Sequence, residues 1–154
     1  MSNSVIDSVI AQAQGNIGYQ EGANNDNKFA ATAKHPNHQP WCATFIVAVF
    51  SKAGALGSIK NSSSCIEIAK WAKTKKVLFD VKEAKRGDLI LMNFSGSKVP
   101  EHIGLAVADY DSLHKAVLTI EGNTGDASQV NGDGVYRKIR GEKFIVGVVR
   151  PLWS

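Results

Sequence analysis

The stretch that most restricts how this chain can fold is 39–54, Gln-Pro-Trp-Cys-Ala-Thr-Phe-Ile-Val-Ala-Val-Phe-Ser-Lys-Ala-Gly. Ten residues, 41–50, run almost without a polar side chain, with Pro40 opening the run and Gly54 closing it. That is long for a strand. Proline suits the first helical position and glycine the residue just past the end, so the pattern predicts a helix. A helix apolar nearly all round belongs in a domain interior, and its N-terminus meets the surface only where a groove reaches it. Cys42 sits at that end. Unpaired N–H groups and the helix dipole favour an anion there, which lowers a thiol's pKa and raises the nucleophilic thiolate fraction. The competing reading is a buried cysteine packed as a small hydrophobe.

At 154 residues, 44% hydrophobic, the chain reads as one globular domain over 1–154, with a core of ordinary size. Its net charge of +4 is a mild excess. The basic residues do not interleave with aromatics, and no nucleic-acid-binding signature appears, so nucleic acid is not expected as a partner. Two cysteines, Cys42 and Cys65, are too few for a disulfide scaffold, and pairing them would consume the candidate nucleophile. The N-terminal residues have no basic region followed by an apolar segment, so the expectation is synthesis in the cytoplasm without a signal peptide and no membrane insertion.

In chain order, Ile6, Val9, Ile10 and Ala13 recur at helical spacing within 4–14, with Ser4 placed to cap and Gly15 to terminate. Residues 15–40 are rich in Gly, Asn, Lys and His and read as a long loop with at most a short helical turn, a type that is usually functional. Asn24 and Asp26 lack the later glycine and glutamate of an EF-hand, which leaves a turn. The loop ends in His35, His38 and Cys42, spaced as short zinc motifs are, and this is the alternative chemistry: a zinc hydrolase with an open coordination position. After Gly54, Ser64 and Glu67 form a capping-box pattern ahead of Cys65, Ile68, Ala69 and Ala72, a third helix with Cys65 on its core stripe.

From Gly87 the texture changes. Five short apolar or alternating segments, 88–94, 102–108, 116–121, 134–139 and 144–149, are separated by turn residues. Helices followed by consecutive strands predict an α+β domain: an N-terminal helix and loop (1–40), the Cys42 helix (41–54), and a five- to six-stranded antiparallel sheet (87–151). In 102–107, His102, Gly104 and Ala106 share one strand face, whose small residues would let the Cys42 helix approach. Glu121 and Asn123, two apart, can share a face beside that histidine. A thiolate, an imidazole that accepts and returns its proton, and a polar group that orients the ring are the parts of a cysteine hydrolase.

In order, Pro40-Trp41-Cys42-Ala43-x-Phe45, Arg86-Gly87-Asp88-Leu89-Ile90, Glu101-His102-Ile103-Gly104-Leu105-Ala106-Val107, Ile120-Glu121-Gly122-Asn123-Thr124 and Val146-Gly147-Val148-Val149-Arg150-Pro151 resemble the CHAP domains (cysteine, histidine-dependent amidohydrolase/peptidase) of phage endolysins and bacterial wall hydrolases. The resemblance runs from about Ile17 to the C-terminus. It implies a papain-like α+β fold and cleavage of a peptidoglycan amide bond by a monomer that needs no cofactor. By position it makes Cys42 the nucleophile, His102 the general base, Glu121 the residue orienting the histidine and Asn123 the asparagine close by. Gln39 is a candidate second oxyanion donor, and Tyr19 and Trp41 are candidates for lining the groove. The acidic calcium loop that some relatives carry before the nucleophile is replaced here by 34–40, Lys-His-Pro-Asn-His-Gln-Pro, and no wall-binding module is recognisable. Besides the zinc hydrolase, the second alternative is a wall-binding or toxin-like module without catalysis.

Overall fold

The computed structural model describes residues 2–126 and 128–153. Among them are four α-helices, α1 (Ser2–Gln14), α2 (Phe29–Ala33), α3 (Cys42–Lys52) and α4 (Cys65–Thr74), followed by six strands. The strands are β1 (Leu78–Phe79), β2 (Leu89–Met92), β3 (His102–Ala106), β4 (Ala116–Thr124), β5 (Gly134–Gly141) and β6 (Ile145–Val149). They form one antiparallel sheet in the order β1-β6-β2-β3-β4-β5. The α+β expectation holds, and the fold is papain-like. One element escaped the sequence: β1, two residues long and too short for periodicity to mark, lies ahead of the expected sheet and pairs with β6.

Helix α3 is the centre of the molecule. Residues 42–50 are all buried, and α1, α2 and the sheet pack around them. Its C-terminus closes in a Schellman pattern: Ala55 N–H donates to Phe50 O and Gly54 N–H to Ser51 O, with Gly54 left-handed at φ 72°. At the other end Trp41, not Pro40, is the N-cap, so the proline precedes the helix instead of occupying its first turn.

The sheet turns Leu89, Leu91, Ile103, Leu105 and Ile120 toward α3, while Ile90, Met92, Ala106 and Val117 form a second cluster on the other face. This reverses one expectation. The body of the helix lies on the bulky side of β3, with Gly104 and Ala106 on the other side, and His102, first in the strand, comes near α3 only at the helix's front end. Gly104 makes room for something else: a Cβ there would stand 2.6 Å from Glu121 Cγ. The close helix approach falls instead at Gly122, where a Cβ would meet Phe45 Cβ at 2.7 Å and the Trp41 ring at 2.8 Å.

Two resemblance segments prove to be one structural tie. Arg150 donates from Nε to Asp88 Oδ1 (3.1 Å) and from its terminal nitrogen to Asp88 Oδ2 (2.8 Å), fastening the end of β6 to the start of β2. The 15–40 loop is held by its own side chains. Asn37 Oδ1 accepts from the Asn27 and His38 backbone N–H groups, and Asn37 Nδ2 donates to Asp26 Oδ1.

Candidate active site

Cys42 is the first residue of α3, where the leading N–H groups have no partner within the helix. The sulfur is buried, with the residue only 6% exposed. His102, first in β3, is fully buried, and its Nε2 lies 2.9 Å from Glu121 Oε1. Opposite a carboxylate, Nε2 carries the proton, which leaves Nδ1 for the thiol. Nδ1 forms no hydrogen bond of regular geometry with any described residue, although ring and sulfur are near enough for each to shift the other's titration.

The charges are set by neighbours. Burial opposes ionisation of His102, yet Cys42 and Glu121 outweigh it and raise the imidazole to about 9. Cys42 is drawn well below the ordinary thiol range by Cys65 first, against the opposing effect of burial, and further by His102 and the Ala43 backbone N–H. Each group thus favours the charged form of the other, the thiolate beside the imidazolium. Burial pushes Glu121 up, but Arg140 and His102 overcome it and hold the carboxyl at about 2.

Arg140 on β5 is the member of this cluster that sequence reading missed. Its Nε donates to Glu121 Oε2 at 2.8 Å, and a terminal nitrogen donates to Glu121 Oε1. Thr119 Oγ1 donates to the same carboxylate at 2.5 Å. Strand pairing accounts for the meeting: Arg140 stands opposite Val117 and shares a sheet face with Thr119 and Glu121. Alternation in β5 would have placed Ile139 inward and Arg140 outward, whereas Ile139 is 75% exposed and Arg140 buried, and nothing local says which carboxylate the arginine meets.

Asn123 does not lie where the two-residue spacing put it. Between Glu121 and Thr124 the β4–β5 register slips, and three steps along β4 match two along β5 (Tyr136 to Gly134), which is a bulge with Asn123 left-handed at φ 55°. The bulge turns its side chain toward the helix. Oδ1 accepts from the Trp41 backbone N–H at 2.8 Å, and Nδ2 donates to Gly132 O and Asn131 Oδ1. Asn123 thus anchors the start of α3 and makes no bond to His102.

The remaining expected residues divide. Gln39 is half-buried, and its side chain has no hydrogen-bond partner among the described residues. Trp41 cannot line a groove: it is fully buried, stacks on Phe29 and donates from Nε1 to Glu21 Oε1. The Tyr19 ring packs edge-on against both Phe29 and Trp41, and its hydroxyl accepts from Lys28 N–H. The zinc alternative fails on geometry, because both loop histidines turn away from Cys42. His35 is bound to Thr44 Oγ1 and Asn61 Oδ1, and His38 Nδ1 lies on Asn24 O. No three His, Cys, Asp or Glu residues among those described are grouped to hold a metal. Cys65, expected only as core, stands with its sulfur 3.9 Å from that of Cys42.

No protein-family model matches the sequence, and no curated protein matches it. Solved structures do. The peptidoglycan hydrolase RipB from Mycobacterium tuberculosis superposes with a TM-score of 0.56 at 18% identity, over 99% of this chain and 67% of that one. A mutated form of the resuscitation-promoting-factor-interacting protein RipA gives a TM-score of 0.60 at 16% identity, over 99% of this chain and 64% of that one. The chain thus spans about two thirds of the length of each. At these identities the likeness is one of fold, and it places this chain in the architecture used by a cell-wall hydrolase.

Proposed function

We propose that this chain is a cysteine-dependent peptidoglycan hydrolase of the CHAP type that cleaves an amide bond of the bacterial cell wall. One observation carries the reading: a fully buried imidazole that meets the Glu121 carboxylate at 2.9 Å and lies near enough to the thiol at the front of the central helix for each to shift the other's titration. A hydrolase needs a thiolate beside an acid, and this cluster draws the thiol down and the imidazole up together.

In the proposed reaction the Cys42 thiolate attacks the amide carbonyl carbon, and the carbonyl electrons move to oxygen. The Cys42 backbone N–H and the Gln39 side chain stabilise that oxyanion. As the C–N bond breaks, His102 gives its Nδ1 proton to the leaving amine and becomes neutral. It then takes a proton from water, whose oxygen displaces the sulfur from the thioester, and the products are a carboxylic acid and the restored thiolate–imidazolium pair. Glu121 keeps the ring oriented, and Asn123 keeps the helix start in place.

The test is clearing of purified cell walls, with mass spectrometry of the released fragments to identify the bond cut. Cys42→Ala and His102→Ala should each abolish clearing with circular dichroism unchanged. Iodoacetamide should inactivate the protein and a chelator should not. Full clearing by either variant rejects the proposal, and wall binding without new amine termini would mark a module without catalysis.

A further inference from the structure

The chain has two cysteines, and each is the first residue of its helix, Cys42 of α3 and Cys65 of α4. Folding brings the two helix starts together with both side chains buried, 6% and 8% exposed, and the sulfurs 3.9 Å apart. The proposed reaction uses only one of these sulfurs. A second buried thiol at that distance is within the range of a sulfur hydrogen bond, and a thiol has just one proton to donate.

We propose that Cys65 is a positioning residue of the same site: its S–H donates to the Cys42 sulfur and fixes the negative charge of the pair on Cys42. The inference rests on Cys42 being the nucleophile. The surroundings of Cys42 agree with it on every side. From α4 comes the Cys65 thiol, from β3 the His102 imidazolium, backed by Glu121 of β4 and Arg140 of β5, and from α3 itself the Ala43 N–H. Only Cys42 has the imidazolium beside it, so the charge settles there. Cys65 moves the opposite way, its thiol pushed well above the ordinary range by the Cys42 sulfur first and by burial second. Two thiols that titrate apart, one down and one up, share a single proton between them.

The experiment follows the rate of Cys42 alkylation by iodoacetamide against pH, in reductant so that the sulfurs stay unpaired, for the wild type, Cys65→Ala and Cys65→Ser. Loss of the donor in Cys65→Ala should move the alkylation midpoint upward by about one unit, slowing the reaction about tenfold on the acid side. Cys65→Ser keeps a donor and should recover most of that rate, which a purely space-filling role would not require. A Cys65→Ala profile that overlays the wild type overturns the proposal.

The wild type supplies a check that needs no Cys65 variant. Ultraviolet thiolate absorbance should rise in two separated steps, and in Cys42→Ala the remaining step should fall below the upper one. A single joint step in the wild type also overturns the proposal. Because alkylation is read without wall substrate, a protein that fails to clear walls yet shows the Cys65 dependence rejects the hydrolase alone. Clearing with no Cys65 dependence rejects the positioning role alone.

Discussion

Arg140 grips both carboxylate oxygens of Glu121 from the neighbouring strand, so the residue that orients His102 is itself held on its far side. The imidazole, the carboxylate and the guanidinium form a buried chain, with the guanidinium resting 4.8 Å from the centre of the Phe94 ring. Each link limits the motion of the next.

Removing the last link should therefore do more than loosen the sheet. In Arg140→Met the Glu121 carboxylate is left buried against a single cation, which should destabilise the fold by about 3–5 kcal/mol. Urea denaturation measures this. The retained Glu121 should then titrate well above its present value of about 2, visible by carboxyl NMR.

Acid should act through the same carboxylate. Its folded-state value, about 2, lies below the ordinary 4.5, so its contribution to stability is present above 4.5 and is lost as pH falls from there toward 2. Melting temperatures across that window should drop more steeply in the wild type than in Glu121→Gln, which has no proton to take up.

At the alkaline end the histidine decides. With His102 raised to about 9, kcat/KM for wall cleavage should decline as pH passes 9, because the leaving amine loses its acid. The acid limb should lie well below the usual thiol value. The sign for stability is the same: protonation of His102 stabilises the fold fully below its ordinary 6.5, and the gain disappears as pH rises through 9.

Asn123 and Glu121 should separate cleanly on substitution. Asn123→Ala strands the buried Trp41 N–H and should cost about 1–3 kcal/mol, with the His102 titration unmoved because no bond joins them. Glu121→Gln should move that titration downward. Histidine NMR distinguishes the two.

Added methyl groups test the two close approaches. Gly122→Ala drives a carbon within 2.8 Å of Phe45 and Trp41 and should destabilise by about 1–3 kcal/mol, read by thermal unfolding. Gly104→Ala presses instead on Glu121, at 2.6 Å from Cγ, and should reduce wall clearing more than it reduces melting temperature.

Much of this was legible in the sequence, and the boundary is physical. Helices α1, α3 and α4 and strands β2 to β6 follow from periodicity and capping residues, which act locally. Cys42, His102 and Glu121 were singled out by residue type and order, and of these His102 and Glu121 meet at 2.9 Å. What local pattern does not carry is which strand face meets which neighbour. The alternation around Gly104 marked two faces correctly, but it took the small side for the helix side because space for a carboxylate and space for a helix look alike in one dimension. The bulge at Asn123 adds one residue to a strand, and a period of two cannot register it. The partners Glu121–Arg140, Asp88–Arg150 and Cys42–Cys65 stand 19, 62 and 23 residues apart and exist only once the chain has closed on itself.

Strand β5 ends the sheet on one side, bound to β4 alone among the named strands. A border strand is among the first parts to fray. Since Arg140 is carried on that strand, any fraying strips Glu121 of its counterion before the middle of the fold has opened. Cutting power should thus fade ahead of global melting, with the border of the sheet acting as a fuse for the chemistry inside.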